Sequence, residues 1–225
     1  MSQHSQANGA WYDFLKFLCR LACVIVYRAR YTGSENVPLE GPMLVVANHQ
    51  SYLDPVAIGA GCPPRLSYMA RKTLFRFSPF GWLIHSVNAI PLDIEGIGIG
   101  GVKETLRRLK RGEMVLIFPE GARSWDGEVA PFQPGFATIA IRSRATILPV
   151  AIEGAFQAWP RFRKVPRPGD IRVHYGKPIA ANLAKELGEE RLVEEVRGRV
   201  CAGLEKLRRD PVFGGDGQDQ RRQRP

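Results

Sequence analysis

The sequence has no uninterrupted run of about 18 apolar residues, the minimum for a helix that crosses a bilayer, so no spanning segment is expected in it. Cysteine is scarce: Cys19, Cys23, Cys62 and Cys201 are the four present, with no CxxC pair and no cysteine–histidine cluster at zinc spacing. A metal site is therefore not expected, and the four read as reduced packing residues in a cytoplasmic compartment. There is no G-x-S-x-G elbow, which argues against a hydrolase built on a serine nucleophile. Nor is there a pair of aromatic ribonucleoprotein motifs, and nucleic acid is not an expected partner. The glycine-rich stretch Gly96–Gly101 misses the dinucleotide spacing, because Gly101 follows Gly100 directly, and reads as a loop that opens a helix.

What the chain does have is positive charge, a formal +10 over 225 residues. That favours an anionic partner without naming it. The cations gather in two places, a helix carrying Lys103, Arg107, Arg108, Lys110 and Arg111, and a loop carrying Arg161, Arg163, Lys164 and Arg167. Solvated charge is the ordinary reading of both; anionic lipid headgroups or a coenzyme's phosphates are the partners that suit them.

The length fits one well-buried domain. Apolar runs recur with helical patterns between them, which predicts an α/β fold with a single mixed sheet covered by helices. Strands are expected at 30–37, 42–47, 66–70, 88–92, 114–118, 146–152 and 171–175. Helices are expected from Ser51 or Tyr52 to Ala60, over 101–111, 135–143 and 183–208, with short helices across 73–85. Residues 31–208 form the one expected domain. Residues 209–225, rich in Gly, Asp, Gln and Arg, cannot bury a core and are expected to be disordered.

Residues 1–30 are a polar tail followed by a helix, Trp11–Tyr27, interrupted by Asp13, Lys16 and Arg20. These three fall with Cys23 and Tyr27 on one narrow stripe, and apolar residues cover the rest. The segment lacks the early basic region and cleavage site of a signal peptide. Two readings stand: an amphipathic helix lying in a bilayer interface, or a helix packed on the core with one wet edge.

Two polar clusters carry chemistry. The first is Asn48-His49-Gln50-Ser51-Tyr52-Leu53-Asp54, directly after the apolar run Met43–Val46. A strand-to-helix turn there can bring the Asp54 carboxylate back onto one imidazole nitrogen of His49, fixing its tautomer and leaving the other nitrogen as a general base for a hydroxyl proton. Ser51 is a candidate helix cap, and Asn48 a candidate brace for the turn. The alternative is that His49 and Asp54 only staple the turn. The second cluster is Phe118-Pro119-Glu120-Gly121-Ala122-Arg123-Ser124, again after an apolar strand. Glu120 can orient a polar ligand, Gly121 allows close backbone approach, and Arg123 can hold a phosphate bidentately. Ligand sites of open α/β sheets lie at such strand ends, so the two clusters together describe a base and an anion clamp.

In these motifs the sequence resembles the glycerolipid acyltransferases of the 1-acylglycerol-3-phosphate (lysophosphatidate) type. Asn48, His49, Ser51 and Asp54 match that family's Asn-His-x-x-x-x-Asp motif, and Phe118–Ser124 matches its Phe-Pro-Glu-Gly-Thr-Arg-Ser motif with Ala122 in place of threonine. The run Ile147-Leu148-Pro149-Val150 matches a later apolar strand, and the resemblance spans about residues 31–180. A motif that ends Asp-Arg in the family ends here as Ile90-Pro91-Leu92-Asp93-Ile94. That arginine is thought to serve the acceptor's phosphate, so the departure opens acceptor identity; Arg71, Lys72 and Arg123 are the candidate substitutes.

The resemblance implies an enzyme of phospholipid biosynthesis on the cytoplasmic face of a membrane, monotopic and held by its first helix. His49, oriented by Asp54, would deprotonate a lysophospholipid hydroxyl that attacks the thioester of acyl-CoA or acyl-carrier protein, with no cofactor. Asn48, Ser51, Glu120, Gly121 and Arg123 would bind substrate, and backbone N–H groups of the 48–51 turn or the Gly121 loop would face the oxyanion. Other readings are a different acceptor, such as a lyso-ornithine lipid, or a non-catalytic lipid-binding protein of the same fold. A hydrolase that uses the same base on water is a further alternative.

Overall fold

The computed structural model describes residues 9–71, 89–92 and 99–209. In chain order the elements are α1 (Gly9–Tyr27), β1 (Arg30–Thr32), a short 3-10 turn (Ser34–Asn36), β2 (Met43–Ala47), α2 (Asp54–Gly61), β3 (Leu66–Arg71) and β4 (Ala89–Leu92). Then come α3 (Ile99–Lys110), β5 (Met114–Ile117), α4 (Gly135–Ser143), β6 (Thr146–Glu153), α5 (Ala155–Ala158), β7 (Arg172–Tyr175) and α6 (Ala181–Arg209).

The strands form one seven-stranded sheet in the order β1-β7-β6-β2-β5-β3-β4. Every described pairing between these strands is parallel except β6 with β7, so the sheet is mixed, as expected. β2 and β5 are buried at every position, as parallel strands covered on both faces must be. Their side chains alternate between two cores. Met43, Val45 and Ala47 join Cys23, Ala57 and Ile58 on the face covered by α1 and α2; Leu44 and Val46 join Leu109, Phe136 and Val196 on the face covered by α3, α4 and α6. Because β2, β5 and β6 run the same way side by side, the segments that follow them leave one edge of the sheet together.

Three expected elements differ. The strand expected to continue to residue 37 stops at Thr32, because Gly33 turns the chain with φ +74° in a position where a Cβ would strike the Tyr175 carbonyl. The helix expected from Ser51 or Tyr52 begins at Asp54, the two residues before it being held in a separate turn. The last helix is broken at Gly188, whose φ of +72° and ψ of 174° kink α6 near its start. The short helices expected at 73–85, and Ile94, lie outside the described residues.

The first helix packs the opposite way round from an ordinary surface helix. Its polar stripe faces the protein. The Tyr12 hydroxyl donates to Leu66 O at 3.0 Å and accepts Leu66 N–H at 2.9 Å. Lys16 Nζ donates to the carbonyls of Cys62 and, at 2.7 Å, Pro63, the oxygens at the negative end of α2. The apolar side is turned out: Phe17 is 61% and Ile25 68% exposed, with Phe14, Leu21 and Val24 beside them. Among the described residues no helix is long and apolar enough to cross a membrane. All four cysteines are free, and burial pushes the thiols of Cys23 and Cys62 up to about 11 and about 12, which keeps them protonated and unreactive.

Candidate active site

At the shared edge, the turn after β2 folds its carboxylate back on its histidine. His49 Nδ1 lies 2.7 Å from Asp54 Oδ2. The same oxygen accepts the backbone N–H groups of Gln50 at 2.6 Å and Ser51 at 2.7 Å. Asp54 is fully buried, whereas the His49 side chain is 19% exposed. A carboxylate can only accept, so Nδ1 carries the hydrogen and the lone pair sits on Nε2. The imidazole is stacked on Phe118 from the neighbouring loop, with ring centroids 4.0 Å apart and planes at 14°. Tautomer, tilt and position of the ring are thus fixed from two sides.

The loop after β5 is bolted to this turn through backbone atoms. Glu120 Oε1 accepts His49 N–H at 2.7 Å, Glu120 Oε2 accepts Ala130 N–H at 2.9 Å, and Ser124 N–H donates to His49 O at 2.8 Å. Burial pushes the Glu120 carboxyl up to about 7, against the two backbone N–H groups that lower it. Gly121 turns the loop with φ +75°, and a Cβ there would press on the Gln133 amide. Past it, the Arg123 guanidinium lies over the Tyr52 ring, 3.4 Å from its centroid. Its Nη1 is buried without a hydrogen-bond partner, which leaves that donor unspent.

Other residues expected to bind substrate face inward. The buried Asn48 amide donates to Ile152 O and accepts Ile152 N–H, both at 2.9 Å, and so locks the end of β2 to β6. Ser51 Oγ donates to Trp159 O at 2.7 Å and accepts Leu53 N–H at 3.1 Å, which makes it a brace for the turn rather than a cap on α2. Glu120 spends both oxygens on backbone. The candidate oxyanion donors fare likewise, since the N–H groups of His49, Gln50, Ser51 and Gly121 are all taken within the protein. The structure therefore brings His49, Asp54, Glu120, Gly121 and Arg123 together at one edge. Of these five, Arg123 Nη1 and Asp54 Oδ1 are buried without a hydrogen-bond partner, while the His49 ring is partly exposed.

Sequence reasoning missed Tyr52, Phe118 and Gln50. Tyr52 and Phe118 are the ring platforms for Arg123 and His49, and Gln50 Nε2 ties the turn to Gly127 O at 2.8 Å. All three lie inside the two motifs, but each meets the segment other than its own, so the aromatic character of Tyr52 and Phe118 was the signal available to be read. Arg71 and Lys72, the other substitutes for a missing phosphate ligand, have no described side chains. Among the described residues no cluster suits a metal ion.

The family model described as acyltransferase matches residues 28–153, more than half of the chain. The chain is 32% identical over 162 residues to the 1-acyl-sn-glycerol-3-phosphate acyltransferase of Bacillus subtilis, covering 71% of this chain and 78% of that one. It is 28% identical to a chloroplast 1-acyl-sn-glycerol-3-phosphate acyltransferase of Brassica napus, covering 79% of this chain but only 51% of the longer plant protein. Among solved structures, the 1-acyl-sn-glycerophosphate acyltransferase PlsC of Thermotoga maritima matches with a TM-score of 0.80 at 27% identity, over 93% of this chain and 85% of that one.

Proposed function

The chain belongs to the acyltransferase family, and from that premise we propose that it transfers a fatty acyl group from a thioester donor to the free hydroxyl of 1-acyl-sn-glycerol-3-phosphate. The observation that carries this reading is the His49–Asp54 pair at 2.7 Å, with Nε2 open at the rim. His49 Nε2 takes the acceptor's hydroxyl proton as that oxygen attacks the thioester carbonyl. The tetrahedral intermediate collapses, the carbon–sulfur bond breaks, and the imidazolium returns the proton to the departing thiolate. An ester and a free thiol result, with no acyl-enzyme and no cofactor. Buried Asp54 stabilises the imidazolium at the moment it forms.

Arg123 is the proposed clamp for the acceptor's phosphate. Its fork matches two phosphate oxygens, and the Tyr52 ring holds the guanidinium flat while Nη1 waits for a partner. Asn48, Ser51 and Glu120 act through the turn they brace. The outward apolar face of α1 is the proposed seat on a membrane, with the catalytic edge at its cytoplasmic face and acyl-CoA or acyl-carrier protein arriving from water.

The test is acyl transfer from labelled palmitoyl-CoA by the wild type and by His49→Ala, with lysophosphatidate, other lysophospholipids and lyso-ornithine lipid offered separately. Acylated lysophosphatidate is expected from the wild type, and a loss of about 10²–10⁴-fold from His49→Ala. Preference for a phosphate-free acceptor would reassign the substrate in line with Ile94. Vesicle binding without transfer to any acceptor would mark a lipid-binding protein that has kept only the fold.

A further inference from the structure

The chemistry leaves unused a loop beside the catalytic edge, residues 159–167, whose shape is firmly held. Trp159 Nε1 donates to Arg163 O at 3.0 Å, Arg163 N–H to Pro160 O at 3.1 Å, and Arg167 N–H to Ala158 O at 2.9 Å. A loop braced in this way should hide its apolar side chains if it could. Instead Phe162 is 63% and Val165 66% exposed, and Trp125, under the Arg161 guanidinium of the same loop at 3.7 Å, is 68% exposed. Single exposed apolar residues are common, but a rigid cluster of them marks an interaction site. Cations interleave with the apolar tips: Lys164 and Arg167 are exposed, and Arg163 is half-buried.

Position says what the cluster meets. Ile171 N–H donates to Tyr27 O at 3.0 Å, and Arg28 pairs with Asp170 at 2.6 Å, so the chain just past the loop is stitched to the C-terminal end of α1. The loop is thereby joined, through the segment that follows it, to the helix whose outward face is itself apolar. On the other side Ser51 Oγ bonds Trp159 O, which joins the loop to the His49 turn. Aromatic and aliphatic tips set among lysine and arginine match the boundary of an anionic bilayer, where rings enter the headgroup region and cations meet lipid phosphates. A soluble phosphate ligand would recruit the cations and leave the apolar tips in water.

We propose that residues 159–167, with Trp125, form a second membrane contact that seats the catalytic edge against anionic lipid, Phe162 and Val165 entering the interface while Lys164 and Arg167 face phosphates. This rests on the reading of α1 as a membrane seat. The experiment compares binding of the full chain to phosphatidylcholine vesicles with and without phosphatidylglycerol, for the wild type, Phe162→Ser/Val165→Ser and Lys164→Gln/Arg167→Gln. The first variant is expected to bind about tenfold more weakly to both kinds of vesicle. The second is expected to lose about tenfold on anionic vesicles only, and less at high salt. Both should transfer acyl groups to a short-chain acceptor in free solution at the wild-type rate, which separates seating from chemistry and from misfolding. Amide exchange of the wild type should slow over 159–167 when anionic vesicles are added. Unaltered binding of both variants, or no slowing over 159–167 in vesicle-bound wild type, overturns the second contact and leaves α1 as the seat. Failure of the wild type to bind any vesicle overturns both membrane readings, while transfer in solution still judges the enzyme.

Discussion

The turn after β2 and the loop after β5 leave adjacent parallel strands at the same edge, yet they use their polar atoms in opposite ways. In the turn, Asn48, Ser51 and Asp54 are buried, and their side chains bond backbone of Ile152, Trp159, Gln50 and Ser51. Its outcome is one imidazole nitrogen facing out. The loop is held by Glu120 and Ser124, but ends in an arginine resting on a ring with a donor to spare and in a largely exposed Trp125. A reacting atom must sit within tenths of an ångström of its target, so its surroundings are over-determined. A group proposed to hold an anion, as Arg123 is, can adapt to a ligand that arrives with its own shape.

On this contrast the heaviest loss comes from the turn. Asp54→Asn replaces an oxygen that accepts three hydrogens with a group that cannot accept all of them as well. Transfer is expected to fall about 10²–10⁴-fold, the share of a general base. Stability is expected to fall by about 3 kcal/mol as well, because hydrogen bonds to a buried charged group are among the strong ones. Steady-state kinetics and urea unfolding read the two effects, and a drop smaller than that of Arg123→Ala would invert the comparison.

Glu120 belongs to the loop but serves the turn, and pH reveals which role dominates. Its folded value of about 7 stands above its ordinary 4.5, so the folded protein holds this proton more tightly than the unfolded chain. Its contribution to stability is present below pH 4.5 and is lost as pH rises through 7, by about 3 kcal/mol in all. Glu120→Gln should flatten that slope in unfolding experiments between pH 4.5 and 8. An unchanged slope would assign the titration to another group.

The smallest effect is expected at the clamp. Arg123→Ala should raise KM for lysophosphatidate about tenfold, equivalent to about 1.4 kcal/mol, with a lesser change in kcat. Arg123→Lys should recover part of that loss, and a phosphate-free acceptor should be indifferent to either substitution. An equal penalty on a phosphate-free acceptor would make Arg123 a brace for the loop rather than a clamp.

How much of this was legible in the sequence follows the range of each interaction. The runs Met43–Val46 and Met114–Ile117 are unbroken apolar stretches, and such stretches state their burial locally. The histidine–aspartate pairing spans five residues and could be read from a turn. The inward roles of Asn48 and Ser51 could not, because their partners Ile152 and Trp159 stand more than a hundred residues away. The first helix shows a third case. Periodicity located its polar stripe at Asp13, Lys16 and Arg20, but not which side of the stripe meets the protein. That was decided by the carbonyls of Cys62 and Pro63, which needed a cation.

The edge position of β1 also sets an order of events in the cell. Among the described residues β1 pairs with β7 alone, Tyr31 beside Val173, and the carbonyl of Tyr27 accepts the N–H of Ile171. A ribosome needs on the order of ten seconds to make the intervening chain. Through that interval the first helix emerges before the strand that will fasten its end exists. The apolar outer face of that helix is therefore made well before the strand that fixes the helix's end to the sheet.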